Sequence, residues 1–247
     1  MGEHRRFFIK PEDISGETAV LTGSAARQIT KVLRLKEQDW VWVLDGSGNE
    51  HKARISSLSK GEVTATIVST RTCPNEPNVC LTLAVCLPKH DKLELIVQKG
   101  TELGISELVI VGSERTVALP DTRKLNDRLA RWERIAAEAA EQCGRGRIPR
   151  IRPMVKFEEL TEEIAGFDLA VLAWEQETDT SLKDVLRKNA GVHSVMLIIG
   201  PEGGLTEGEV ERAKAAGAKC ASLGKRLLRV ETAAIVACAA VMYELGP

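Results

Sequence analysis

The apolar pattern of the chain changes rhythm near residue 79. Before it, short β-favouring runs occupy 6–9, 18–21, 40–44, 52–58 and 63–69. Turn signals separate them: Lys10-Pro11-Glu12-Asp13, Asp45-Gly46-Ser47-Gly48-Asn49 and Ser59-Lys60-Gly61. One helical stretch, 24–35, interrupts the series. Short strands at this spacing predict a small β-barrel over 1–72. Residues 73–78 hold two prolines and two asparagines, which suit neither helix nor strand, and read as a linker.

Beyond it, 79–87 is a buried-strand pattern and 92–103 a helix with Leu93, Ile96, Val97, Gly100 and Leu103 on one side. Residues 107–111 read as a strand. A long amphipathic helix over 121–143 turns Leu125, Leu129, Trp132, Ile135, Ala136 and Ala139 inward. Strands follow at 168–173, 194–199 and 219–223, with helices at 208–216 and 231–245. Alternating strands and helices predict an α/β domain over 79–247 with a parallel sheet covered on both faces.

The sharpest local feature is where the apolar run 194–199 ends in Gly200-Pro201-Glu202-Gly203-Gly204. Thr206 and Glu209 then have the spacing of a helix capping box. A buried strand running into a glycine turn lets backbone approach a ligand, at the sheet end where open α/β folds bind theirs. Glu202 argues against a pyrophosphate, because it would set an anion beside the phosphates. A dinucleotide-binding fold needs a glycine fingerprint after its first strand. Leu87-Pro88-Lys89-His90-Asp91-Lys92 contains no glycine.

A second segment, Leu223-Gly224-Lys225-Arg226-Leu227-Leu228-Arg229-Val230-Glu231-Thr232-Ala233-Ala234, lies about twenty residues further on. The two segments in this order resemble the SPOUT class of S-adenosylmethionine-dependent RNA methyltransferases. Lys99-Gly100-Thr101-Glu102-Leu103-Gly104, Glu114-Arg115, 138–145 with Pro149, Arg5-Arg6-Phe7-Phe8 and Val32-Leu33-Arg34-Leu35 resemble, more narrowly, the family that methylates uridine N3 in 16S ribosomal RNA. The likeness covers nearly the whole chain. It implies a deep trefoil knot in the C-terminal domain, a PUA- or OB-like RNA-binding barrel at the N-terminus, and a homodimer acting on the 30S subunit. It also implies cofactor contacts at Leu172, Glu175, Gly200, Pro201, Glu202, Gly203, Gly204, Leu223, Gly224, Leu228, Thr232 and Ala233. Glu202 or Glu175 would favour the cationic sulfonium or the amino group. Gln28 stands where the family usually has histidine, and Gln38 where glycine is usual.

Arg229 is the candidate catalytic residue. Arginine stays protonated, so it does not serve as the base. It would bind the target phosphate or stabilise charge developing on the uracil as N3 loses its proton. The competing reading is an ion pair with Glu231 or Glu202. The proton acceptor stays open between water and a carboxylate.

Charge does not announce a nucleic-acid binder: 34 Lys and Arg face 35 acids, for a net charge of −1. An RNA surface must therefore be a local patch. Arg145, Arg147 and Arg150 in an acid-free run, and Arg5, Arg6 and Arg34 in the barrel, are its candidates. Phe7 and Phe8 read as one core and one surface position of a first strand rather than as base-stacking groups. The six cysteines form no C-x-x-C pair and the four histidines are scattered, so no metal site is expected. With no apolar run near eighteen residues and no signal peptide, the expectation is a cytoplasmic protein with reduced cysteines and no membrane contact.

Overall fold

The structure is a computed structural model that describes residues 5–89, 92–116 and 122–246. Asp121, the first residue of the expected long helix, lies outside the described residues. The chain divides into two compact units: 1–76 with 137–148, and 77–136 with 149–247.

The first unit is built on β1 (Arg6–Phe8), β2 (Ile14–Ser15), β3 (Thr18–Thr22), β4 (Trp40–Leu44), β5 (Asn49–Ser59) and β6 (Glu62–Thr72). They form one sheet in the order β1-β4-β5-β6-β3-β2, and no ladder joins β1 to β2 among the described residues. Period-two alternation sends Val41, Val43, Ala53, Ile55, Val63 and Ala65 into a core with Phe7, Leu21 and Ile29. The expected helix at 24–35 is a short α1 (Gly23–Arg27) continued as a π turn over Gln28–Val32.

Residues 73–76 are not a free linker. Cys73 is buried. Glu76 pairs with Arg145 at 2.8 Å and accepts the backbone N–H groups of Gly146 and Arg147 at 2.9 and 3.1 Å. Asn75 donates to the carbonyl of Gly144 at 2.9 Å, and Glu141 accepts from the Phe8 backbone at 3.0 Å. These bonds explain why 137–148 groups with the first unit.

The second unit contains β7 (Cys80–Cys86), α2 (Lys92–Leu103), β8 (Glu107–Gly112), the start of α3 (Thr122–Cys143), β9 (Arg150–Lys156), α4 (Phe157–Glu163), β10 (Leu169–Ala173), α5 (Leu182–Lys188), β11 (Ser194–Ile199), α6 (Glu207–Ala215), β12 (Lys219–Ala221) and α7 (Val230–Leu245). Its sheet runs β12-β10-β11-β7-β8-β9 with every pairing parallel. Leu81, Leu83, Val85, Val195, Leu197 and Ile199 pack with Ile96, Trp132, Val185 and Ala237 from α2, α3, α5 and α7. Ala84, Val109, Leu172, Met196 and Ile198 pack with Leu160 and Val210 from α4 and α6. Both faces of the parallel sheet are thus covered, each Å² of apolar surface buried contributing about 25 cal/mol.

Candidate functional site

The carboxyl ends of β10, β11 and β12 open into a cavity of about 470 Å³. Three loops wall it: Ala173, Trp174 and Glu175 after β10; Ile199, Gly200, Pro201, Glu202 and Gly204 after β11; and 222–230 after β12, with Ala233 from α7. A pocket of this size is in the range that takes a small molecule.

Each wall has an identifiable brace. The Thr206–Glu209 capping box forms, with Glu209 accepting the Thr206 backbone N–H at 2.9 Å. Glu209 is fully buried and also accepts the Glu114 backbone N–H at 2.9 Å. Arg115 donates to the carbonyl of Gly203 at 2.8 Å. The Glu114-Arg115 pair thus fastens the glycine loop from outside. On the other side Glu202 accepts from the Lys89 backbone at 3.1 Å and from Lys92 Nζ at 2.9 Å. Lys92 lies 3.5 Å from Glu231 as well. Burial pushes the Glu202 carboxyl up, but the hydrogen bonds from Lys92 and the backbone outweigh it and hold it below its ordinary value. The same bond to Glu202, with Glu231 adding to it, raises Lys92. One lysine therefore links the glycine loop to the first turn of α7.

Gly204 adopts φ +70°, and a Cβ there would overlap Oε1 of Glu175. Gly224 adopts φ +110° with open space where a Cβ would project. These two positions require glycine; Gly203 does not, since a Cβ would sit 3.6 Å from Arg115 carbons at an ordinary φ. Arg229 is the N-cap position of α7, exposed, and its side chain has no hydrogen-bond or ion-pair partner among the described residues.

Three expected cofactor contacts lie off the cavity wall. Leu172 is fully buried among the α4 and α6 contacts, because its side chain alternates to the opposite sheet face. Gly203 faces Arg115, and Thr232 lies on the exposed side of α7. Conversely Trp174, Ser222, Lys225, Arg226, Leu227 and Val230 line the cavity without having been expected. Their signal was position: each directly follows a strand or falls inside the second glycine segment.

The expected RNA-contacting arginines separate. Arg6 is buried against fully buried Glu50, which also takes Arg71. Arg145 is 3% exposed and pairs with Glu76. Each guanidinium is buried and held by a carboxylate, fully buried Glu50 for Arg6 and half-buried Glu76 for Arg145, so neither is presented to solvent. Arg5 is half-exposed, 3.6 Å from Asp39. Arg147 is exposed and donates to Ser47 O at 3.2 Å, and exposed Arg150 sits 3.6 Å from Glu107. Arg34 is exposed, at φ +50°, with no side-chain partner among the described residues. Phe7 is buried and Phe8 half-buried. Among the described residues no group of His, Cys, Asp or Glu is placed to hold a metal, and no helix is long and apolar enough to cross a membrane.

Residues 75–242 match the family described as RNA methyltransferase domain, and 21–68 match the RNA methyltransferase PUA domain. The chain belongs to the RNA methyltransferase family. Among the family's named members it is 34% identical to ribosomal RNA small subunit methyltransferase E of Bacillus subtilis, over 97% of this chain and 96% of that protein. The Synechocystis protein of the same name is 36% identical, covering 96% of this chain and 76% of the relative. The crystal structure of the Neisseria gonorrhoeae ribosomal RNA small subunit methyltransferase E, bound to S-adenosyl methionine, superposes with a TM-score of 0.86 at 32% identity, covering 98% of each chain. The methyltransferase match contains every residue that lines the cavity.

Proposed function

We propose that this methyltransferase transfers a methyl group from S-adenosylmethionine to N3 of a uridine in 16S ribosomal RNA, on the assembled 30S subunit. The observation that carries the reading is the cavity walled by two left-handed glycines and two loop carboxylates, in a chain that aligns end to end with small-subunit methyltransferases. Its residues fit the cofactor. Ile199, Leu223 and Leu228 offer apolar walls for a purine, and Gly224 leaves open space for close approach. Glu175 supplies negative charge for a cationic ligand, beside Glu202, whose carboxylate is paired with Lys92.

The bound cofactor supplies an electrophilic methyl group on a sulfonium; transfer to N3 leaves a neutral thioether and requires loss of the N3 proton. The protein's part is alignment, exclusion of water and charge compensation. Arg229, with no carboxylate partner among the described residues, neutralises the charge that develops on the uracil oxygens or grips the adjacent phosphate. The knot that the resemblance implies is part of this proposal; the pairing of β12 with β10 past β11 gives the crossover it needs. A homodimer through α7 is supported by Val236, Tyr243 and neighbouring Leu95 of α2, which are 45%, 82% and 42% exposed.

The test is to incubate unmodified 30S subunits with the protein and S-adenosylmethionine, digest the RNA and identify the modified nucleoside by mass spectrometry. N3-methyluridine is the expected product. Methyl groups on ribose or on a base carbon, or methylation confined to another RNA, would overturn the proposal.

A further inference from the structure

We infer that the outward face of β4, β5 and β6 is a stacking platform for single-stranded RNA, centred on Trp40 and Trp42. The inference rests on the reading that the substrate is RNA. While Val41 and Val43 point into the core, the two indoles alternate outward. Cross-strand pairing sets Arg54 opposite Trp40 and Lys52 opposite Trp42. Lys52 Nζ lies 4.7 Å and the Arg54 guanidinium 5.3 Å from the centre of the Trp40 ring. Arg71 lies 4.8 Å from the centre of Trp42. Trp40 is 40% exposed although it is the kind of side chain that folding buries.

Three features select a nucleic-acid strand as occupant. The first is charge. Carboxylates take up Arg5, Arg6 and Arg71, whereas Lys52 and Arg54 are exposed and pair with no carboxylate among the described residues. Two uncompensated cations beside two aromatic rings suit a ligand that carries both phosphates and flat faces. The second is spacing. Residues two apart on a strand are separated by about 7 Å, close to twice the ~3.4 Å rise of stacked nucleotides. The third is architecture, since an open sheet face bearing aromatics and flanking cations is one way proteins hold unpaired bases. Trp40, Trp42, Lys52 and Arg54 fall within the 21–68 match to an RNA methyltransferase PUA domain.

The experiment uses the full chain and a fluorescein-labelled, unstructured 12-nucleotide RNA, read by anisotropy across a salt series. Trp40→Ala should weaken binding roughly ten- to a hundredfold, with melting temperature and S-adenosylmethionine affinity unchanged. Lys52→Gln with Arg54→Gln should lower the slope of log K against log salt by about 1.4, at ~0.7 per phosphate contact on a single strand. Trp40→Phe should keep most of the affinity and Trp40→Leu should lose it, so the test survives if the alanine variant folds poorly. Unchanged RNA binding by Trp40→Ala would overturn the inference. So would displacement of the RNA by polyaspartate of equal charge, which would mark a generic anion surface. A Trp40→Ala protein that methylates 30S subunits with an unaltered KM refutes the platform and leaves the proposed reaction standing. A protein that binds RNA through Trp40 but methylates no ribosomal RNA does the reverse.

Discussion

Gly203, Gly204 and Gly224 are a matched series in which backbone conformation alone predicts different outcomes. Alanine at Gly204 meets a left-handed backbone, which costs a residue with a Cβ about 1–2 kcal/mol. Losing glycine's freedom in the unfolded chain returns about 0.4–1 kcal/mol. The net destabilisation is about 1 kcal/mol, or ~2–4 °C in melting temperature for a chain of this size. The new Cβ also overlaps Oε1 of Glu175, the movable end of its side chain, so Glu175 swings away from the cavity. If Glu175 contacts the cationic cofactor, about 1.5 kcal/mol of charge-assisted hydrogen bonding goes with it, roughly a tenfold loss of affinity. Gly224→Ala carries the same strain without an overlap, so it should lower the melting temperature alike. Gly203→Ala, at an ordinary φ and 3.6 Å from Arg115 carbons, should leave cofactor affinity unchanged and raise the melting temperature slightly, since the unfolded-chain gain of about 0.4–1 kcal/mol meets no strain. Scanning fluorimetry and calorimetric titration with S-adenosylmethionine on the three variants decide the matter. Equal behaviour of Gly203→Ala and Gly204→Ala would refute the reasoning.

Gln38 sits at φ +76°, a left-handed backbone that favours glycine, so Gln38→Gly should stabilise the protein by about 0.5–1 kcal/mol, read as a higher melting temperature. Arg6→Met leaves Glu50 buried with Arg71 as its remaining partner; it should cost about 3 kcal/mol, the lower end for breaking a buried pair, and Arg6→Met with Glu50→Met should recover most of it by chemical denaturation. Arg229→Ala should keep cofactor affinity and melting temperature while single-turnover methylation falls by roughly 10²–10³, with little rescue by lysine; normal turnover would remove Arg229 from the mechanism. The hydrogen bonds from Arg152 hold the Glu163 carboxyl below its ordinary value, so the stability it adds is complete above the ordinary carboxylate range and is lost as pH falls through the depressed value; Glu163→Gln should make the acid limb of melting temperature against pH shallower.

Most of the α/β framework was legible because its strands and long helices carry strong periods. The misses share a cause. β9 begins Arg150-Ile151-Arg152-Pro153, an edge strand whose charges and proline mask its alternation. It was read as a basic run. α4 is seven residues with four glutamates, of which only Phe157 and Leu160 are buried, and α5 is equally short. A helix of two turns gives a periodicity argument almost nothing to count. The division inside α3 left no trace in composition, because the amphipathic pattern continues past 136 while the packing partners change.

The glycine positions, and Glu175, Glu202 and Arg229 beside them, were readable as cavity residues, whereas the partner of a given arginine was not. A glycine after an apolar run states its own role, since what matters there is the missing Cβ. An arginine does not, because its role depends on which carboxylate reaches it. Arg6 is settled by Glu50, 44 positions away, and Arg145 by Glu76, 69 positions away. Neither separation is visible to a local pattern. Arg229 shows the same logic with the opposite result. Two acids, Glu202 and Glu231, lay close enough in sequence to neutralise it. Lys92, arriving from α2, contacts both of them at 2.9 and 3.5 Å. With Lys92 on both of those acids, the Arg229 guanidinium stands at the cavity wall with no carboxylate partner among the described residues, which is the condition under which an arginine binds a phosphate or a developing anion most strongly.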